Sequence, residues 1–88
     1  MGELAKLLPN IGNALEEQLN AVGIQTVQQL KKLGSKQAWQ MIKNADHSAC
    51  LTRLYALEGA IQGIRWHKLD DGIKEELMAF YASYQKEE

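Results

Sequence analysis

Apolar residues recur at helical spacing along the whole of this chain, and the two-residue alternation that marks strands is nearly absent. After Gly12, Leu15, Leu19 and Val22 fall at i, i+4 and i+7, and Gly23 then supplies a C-terminal stop. Thr26 opens the next helix with Gln29 three residues on, the pattern of a capping box. Val27, Leu30 and Leu33 line its inner face and Gly34 ends it. Ser35 is the expected N-cap of a third helix, whose apolar stripe is Ala38, Trp39, Ile42 and Ala45. These helices are short and punctuated by glycine, so tertiary packing has to hold them.

A longer helix is predicted from about residue 48 to 62, with Cys50, Leu54, Leu57, Ile61 and Ile64 forming one stripe. Its other side carries Ala56, Gly59, Ala60 and Gly63. Glycine within a helix costs about 1 kcal/mol relative to alanine, so Gly59 and Gly63 need a reason. Close approach of another helix backbone supplies one, either within the chain or across a dimer seam. Asp70 or Asp71 caps a last helix whose Ile73, Leu77, Phe80, Tyr81 and Tyr84 face inward, and whose end, "QKEE", frays. A short extra helix fits Glu3–Leu8. The pattern predicts an all-α fold, a compact bundle of about five helices forming a single domain over residues 1–88.

The totals narrow the class. At 88 residues, 45% hydrophobic and 24% charged, the chain can bury one modest core and lies far from the disordered compositions. Its apolar runs are too short to span a membrane, and the opening "MGELAK" lacks the basic and apolar regions of a signal peptide. Lys6 stands where a myristoylation signal prefers Ser or Thr. The single cysteine, Cys50, forbids an internal disulfide and suits a reducing compartment, so a cytoplasmic location without membrane contact is expected. The net charge of −1 argues against DNA binding by bulk attraction. The charge is uneven, however. Residues 23–45 hold four lysines and no acid, whereas residues 46–88 hold five basic and eight acidic residues. Lys31, Lys32 and Lys36 are either a solvated helix face or a local electrostatic footprint.

No catalytic set can be assembled, so the chain is read as non-enzymatic and without a cofactor. His47 and Cys50 stand at i, i+3, but two ligands fall short of the four that structural zinc takes, and no metal is expected. Asp70–Asp71 and Glu75–Glu76 suit a helix start. Glu58 flanks the apolar stripe beside Leu54 and Ile61. It reads as a structural acid whose donors come from Arg53, Arg65 or a neighbouring backbone. "RWHK", Arg65–Lys68, combines cations with an aromatic ring. It is either a helix end with complementary cations and a Trp lid over the core, or a contact for nucleic acid.

The stretch "LLPNIGNALEEQLNAVGI" resembles a helix-hairpin-helix unit, with Pro9-Asn10-Ile11-Gly12 as the hairpin leading into Asn13. Such hairpins aim consecutive N–H groups at a phosphate, and the following helix start adds its dipole. Asn10 replaces the first glycine and is the best non-glycine residue for a left-handed conformation. Gly12 is expected to need positive φ or close backbone approach. Glu16 and Glu17, one turn further on, oppose a phosphate, and Lys6 offsets them in part.

Taken together, "LPNIGNALEEQLNAVGIQTVQQLKKLGS", "CLTRLYALEGAIQGIRWHKL" and the closing "IKEEL" resemble the C-terminal domain of the TfoX/Sxy family of bacterial competence regulators. The resemblance runs from about Leu4 to Phe80, and "LYALEGAIQGIRWH" is its most specific piece. It implies an all-helical fold with a hairpin related to helix-hairpin-helix units. It also implies a role in switching on DNA-uptake genes with a transcription factor such as the cyclic-AMP receptor protein. Many members carry a further N-terminal domain ahead of this one. Where members often have Pro after "RWH", this chain has Asp70, which alters a helix start.

Two functions follow as expectations. In the first, a transcription-regulating domain acts mainly through protein contacts, with Gly59, Gly63, Arg65, Trp66 and His67 as the partner face and DNA-backbone contact as an accessory. In the second, a sequence-independent DNA-binding module uses Pro9, Asn10, Ile11, Gly12, Asn13, Lys31, Lys32 and Lys36 to meet phosphates. A homodimerisation module through Gly59 and Gly63 is a variant of the protein-contact reading.

Overall fold

Six α-helices and one 3₁₀ turn follow each other in a computed structural model that describes residues 3–46 and 49–86. They are α1 (Leu4–Leu7), α2 (Asn13–Ala21), α3 (Val27–Leu33), α4 (Ser35–Ala45), α5 (Leu51–Gln62), the 3₁₀ turn Trp66–Lys68, and α6 (Asp71–Lys86). There is no strand among the described residues, so the fold is all-α as the periodicity predicts. The Cα radius of gyration of 12.0 Å is that of a compact domain of this length.

The helix ends follow their local chemistry. The capping box at Thr26 is complete: Thr26 Oγ1 accepts from Gln29 N at 3.1 Å, and Gln29 Oε1 accepts from Thr26 N at 3.1 Å. Gly23 (φ +90°) closes α2 with paired bonds, Ile24 N to Leu19 O and Gly23 N to Asn20 O. Asp70 starts α6, its Oδ2 accepting from Gly72 N and its carbonyl from Lys74 N. Ser35 is not a cap. Gly34 fills the N-cap position, and the Ser35 hydroxyl is buried and donates instead to Glu58 Oε1 at 2.6 Å.

The short α1 (the extra helix expected at Glu3–Leu8) is held by acids reaching across the fold. Glu16 is buried, and its Oε2 accepts from Ala5 N at 3.2 Å. Glu3 Oε2 accepts from Val27 N at 2.9 Å, at the start of α3. Carboxylates at the first turn of a helix satisfy orphan N–H groups and favour the dipole, here in trans.

The core gathers around α5. Leu54, Tyr55, Ala56, Leu57, Gly59 and Ala60 are all buried, so this helix is covered on nearly every side rather than along the one stripe read from its periodicity. Cys50 at its start is exposed, and Ile61 and Ile64 are half-buried. Trp39 of α4 is fully buried against the edges of Phe80, Tyr81 and Tyr84 from α6, and its Nε1 donates to Cys50 O at 3.0 Å. Ala45, expected on the α4 stripe, is exposed, while Lys43 is buried.

Candidate functional site

The Pro9–Gly12 hairpin is built around Asn10. Its backbone is left-handed at φ +69°, the one non-glycine residue with positive φ among those described, as its place in the turn predicts. Its side chain does more than tolerate the turn. Asn10 Nδ2 donates to Ile64 O at 2.8 Å, and Asn10 Oδ1 accepts from Trp66 N at 3.2 Å. One amide thus bridges both polar directions of the loop after α5, across more than fifty residues of sequence. Ile11 is buried beside it in the core.

This clasp explains Gly59, and it stands where close approach of another helix of the same chain was expected. A Cβ at Gly59 would lie 2.6 Å from Asn10 Nδ2, 2.8 Å from Ile64 O and 3.1 Å from Trp66 Cα. What approaches Gly59 is therefore the asparagine and the helix's own C-terminal turn, not a second helix. Gly59 is buried. Gly63 is the left-handed residue that ends α5 (φ +77°), with Ile64 N bonded to Gly59 O and Gly63 N to Ala60 O. A Cβ there meets nothing within 4 Å.

Gly12 also departs from expectation. Its φ of −94° and ψ of −176° are extended and unstrained, and a Cβ would again meet nothing within 4 Å. Gly12 is the N-cap of α2 and makes no side-chain cap bond. The strained position of the hairpin is Asn10.

Clasping the hairpin to the post-α5 loop creates a groove of about 450 Å³. The N-caps of two helices, Gly12 of α2 and Cys50 of α5, both line it, and neither makes a side-chain cap bond. Ala14, Leu15 and Ala56 give it an apolar floor. Arg53, Arg65 and His67 bring basic side chains to it. Arg53 meets Asp46 at 3.3 Å, and Gln18 Nε2 also donates to Asp46 at 3.2 Å. Arg65 is exposed. Trp66 stands at the edge with its ring stacked on Tyr55 (centroids 5.7 Å apart) and on His67 (4.0 Å), so it covers the core as a lid. Among the described residues, no acidic side chain lines this groove. Glu16 and Glu17, which sequence placed in opposition to an anion here, border a separate hollow with Asn13 and Asn20.

The structure therefore divides the residues singled out in sequence. Asn10, Gly12, Arg65, Trp66 and His67 come together, and Arg53, Thr52 and Cys50 join them from the start of α5. Lys31, Lys32 and Lys36 do not line the groove. Lys31 and Lys32 are exposed at the end of α3, and Lys36 pairs with Glu76 at 2.6 Å and lies over the Phe80 ring. Glu58 has structural partners, as expected of it, but they are the Ser35 hydroxyl and Gln62 Nε2 (2.6 Å) rather than an arginine. His47, the other half of the His–Cys pair, lies outside the described residues; among those described, no group of three or more His, Cys, Asp or Glu is placed to hold a metal ion. Among the described residues, no helix is long and apolar enough to cross a membrane.

An all-α module, with an N-terminal hairpin clasped to the end of a central helix, is the class these features define. The chain belongs to the TfoX C-terminal domain family, whose model matches residues 2–81. It is 37% identical over 75 residues to Protein Sxy of Escherichia coli K12, a match covering 85% of this chain and 36% of that protein. The chain thus corresponds to about a third of that relative's length. Two crystal structures of a protein of unknown function from Listeria monocytogenes share the fold. The triclinic form is 51% identical with a TM-score of 0.91, covering 93% of this chain and 92% of that one. The tetragonal form is 52% identical with a TM-score of 0.88, covering 90% and 96%.

Proposed function

We propose that this chain is a non-enzymatic regulatory domain that works in the transcriptional control of competence genes, mainly by contacting another protein. Membership of the TfoX C-terminal domain family supports the regulatory role. The observation that carries the mode of action is the groove between the hairpin, the α5 start and the Arg65–His67 turn, whose described lining residues include arginines and no acid. On a chain with eleven acidic residues and a net charge of −1, a basic groove with an apolar floor is a local departure suited to recognition. The partner implied by the family resemblance is a transcription factor such as the cyclic-AMP receptor protein.

Contact with DNA backbone is an accessory in this reading, made by exposed Lys31 and Lys32 at the end of α3. Two phosphate contacts give log K a slope against log salt of only about −2, too weak to hold a duplex at physiological salt. The test is a competence-gene reporter in cells, with the natural full-length protein carrying either Arg65→Glu or the pair Lys31→Glu/Lys32→Glu. Loss of induction with Arg65→Glu and a minor effect of the lysine pair is the expected result. Full induction by both variants would remove the groove and the lysines from the regulatory role.

A further inference from the structure

We infer that the groove between the α2 and α5 N-termini takes an acidic peptide segment of a partner protein, with an apolar side chain seated on its floor. The inference deepens the protein-contact reading above by naming the chemistry of the partner. Its basis is charge and shape complementarity at one place. The N-caps Gly12 and Cys50 bring the N-termini of two helices, nine and twelve residues long, to the lining of one groove. Each terminus carries about half a positive charge, and neither is capped by a side chain of its own. Arg65 adds a full, exposed charge at the wall, whereas Arg53 beside it is already paired with Asp46 at 3.3 Å; among the described residues no carboxylate lines the groove itself.

Charge alone would suit any polyanion, and the remaining features select a peptide. Ala14, Leu15 and Ala56 make a floor that a phosphodiester backbone cannot use but an apolar side chain can. The Trp66 ring is already stacked on Tyr55 and His67, so it is a wall rather than a platform for bases. Two arginines are few for a duplex, whose binding grows with the number of phosphates neutralised. The exposed Arg65 together with two helix N-termini suffices for a short acidic segment, since an arginine can hold a carboxylate in bidentate fashion. Gly12 has a role here: it lines the groove without a side chain, where a Cβ would meet nothing within 4 Å.

The test is fluorescence anisotropy of the purified chain with three labelled probes: a short peptide of glutamates around a single Phe, the same peptide with Ser for Phe, and a short DNA duplex. The variants are Arg65→Glu and Gly12→Asp, with folding checked by circular dichroism and thermal melting. Gly12→Asp supplies the side-chain cap bond that the Gly12 N-cap of α2 lacks, so it leaves the chain at least as stable while placing a carboxylate at the groove. The expected result is salt-sensitive binding of the Phe peptide, weaker binding of the Ser peptide, and a roughly tenfold loss with each folded variant. Three results would overturn the inference: no binding of the Phe peptide, equal binding of the Phe and Ser peptides, or duplex binding that Arg65→Glu abolishes while the peptide is ignored. The two readings fail separately. A failed peptide titration with a reporter still sensitive to Arg65→Glu rejects this occupant but keeps the groove in the regulatory function.

Discussion

Replacing Asn10 by alanine tests what holds the groove together. The substitution removes the Asn10 bonds to Ile64 O at 2.8 Å and from Trp66 N at 3.2 Å. Each such bond contributes about 1 kcal/mol net, and its loss costs more where the abandoned partner stays out of water. Alanine must also hold φ near +69°, a conformation asparagine tolerates and alanine resists by up to about 1 kcal/mol more. The sum is a destabilisation of about 2–4 kcal/mol. At 4–8 °C per kcal/mol for a domain of this size, that is a fall in melting temperature of roughly 8–32 °C. Asn10→Gly separates the two causes, because glycine accepts the left-handed backbone but makes neither bond. It should still lose about 2 kcal/mol. Urea denaturation followed by circular dichroism measures both. If Asn10→Gly is as stable as the parent, the amide clasp contributes nothing and the hairpin is held by Ile11 and the backbone alone.

The same geometry fixes several other outcomes. Gly59→Ala should destabilise by about 2–4 kcal/mol because one clash is with the backbone oxygen of Ile64, whereas Gly63→Ala, with open space, should cost only about 1 kcal/mol for its left-handed φ; equal effects in denaturation would contradict this. In the double variant Asn10→Gly/Gly59→Ala the cost should be less than additive, since the Asn10 Nδ2 contact at 2.6 Å is gone. Ser35→Ala should cost about 1–2 kcal/mol through the lost bond to Glu58 Oε1, and a null result would leave Glu58 without its pinning role. Trp39→Phe should cost about 2 kcal/mol by leaving Cys50 O without its indole donor and by shrinking a fully buried side chain, read as a drop in melting temperature.

The helices were legible in sequence because their signals are local. Thr26 and Gln29 make a capping box wherever the chain folds, Gly23 and Gly34 stop helices through their own φ, and the α6 stripe buries Leu77 as its spacing requires. Ser35 misled because its hydroxyl had two satisfying choices, the helix amides beside it or a carboxylate on α5. Only the packing of α4 on α5 decides between them. Gly59 misled for a similar reason. The sequence shows that a Cβ is unwelcome there, but the intruder is Asn10, from 49 residues away. The groove was half legible. Asn10, Gly12 and Arg65–His67 carried local signals of a turn, a helix start and a basic aromatic cluster. Arg53 carried none, because it joins them only through the juxtaposition of the α2 and α5 N-termini. The lysine-rich, acid-free tract of residues 23–45 drew attention to a face that does not line the groove.

Amide chemical-shift mapping is the most direct test that this groove is the recognition surface. The ¹⁵N-labelled chain is titrated separately with the glutamate–Phe peptide and with the DNA duplex. The account predicts that the peptide moves the amides of Gly12, Ala14, Arg53, Arg65 and His67 together, while the duplex produces only weak, salt-sensitive shifts around Lys31 and Lys32. Large duplex-induced shifts at Gly12 and Arg65, with the peptide leaving those amides unmoved, would contradict it and make the hairpin a phosphate cradle.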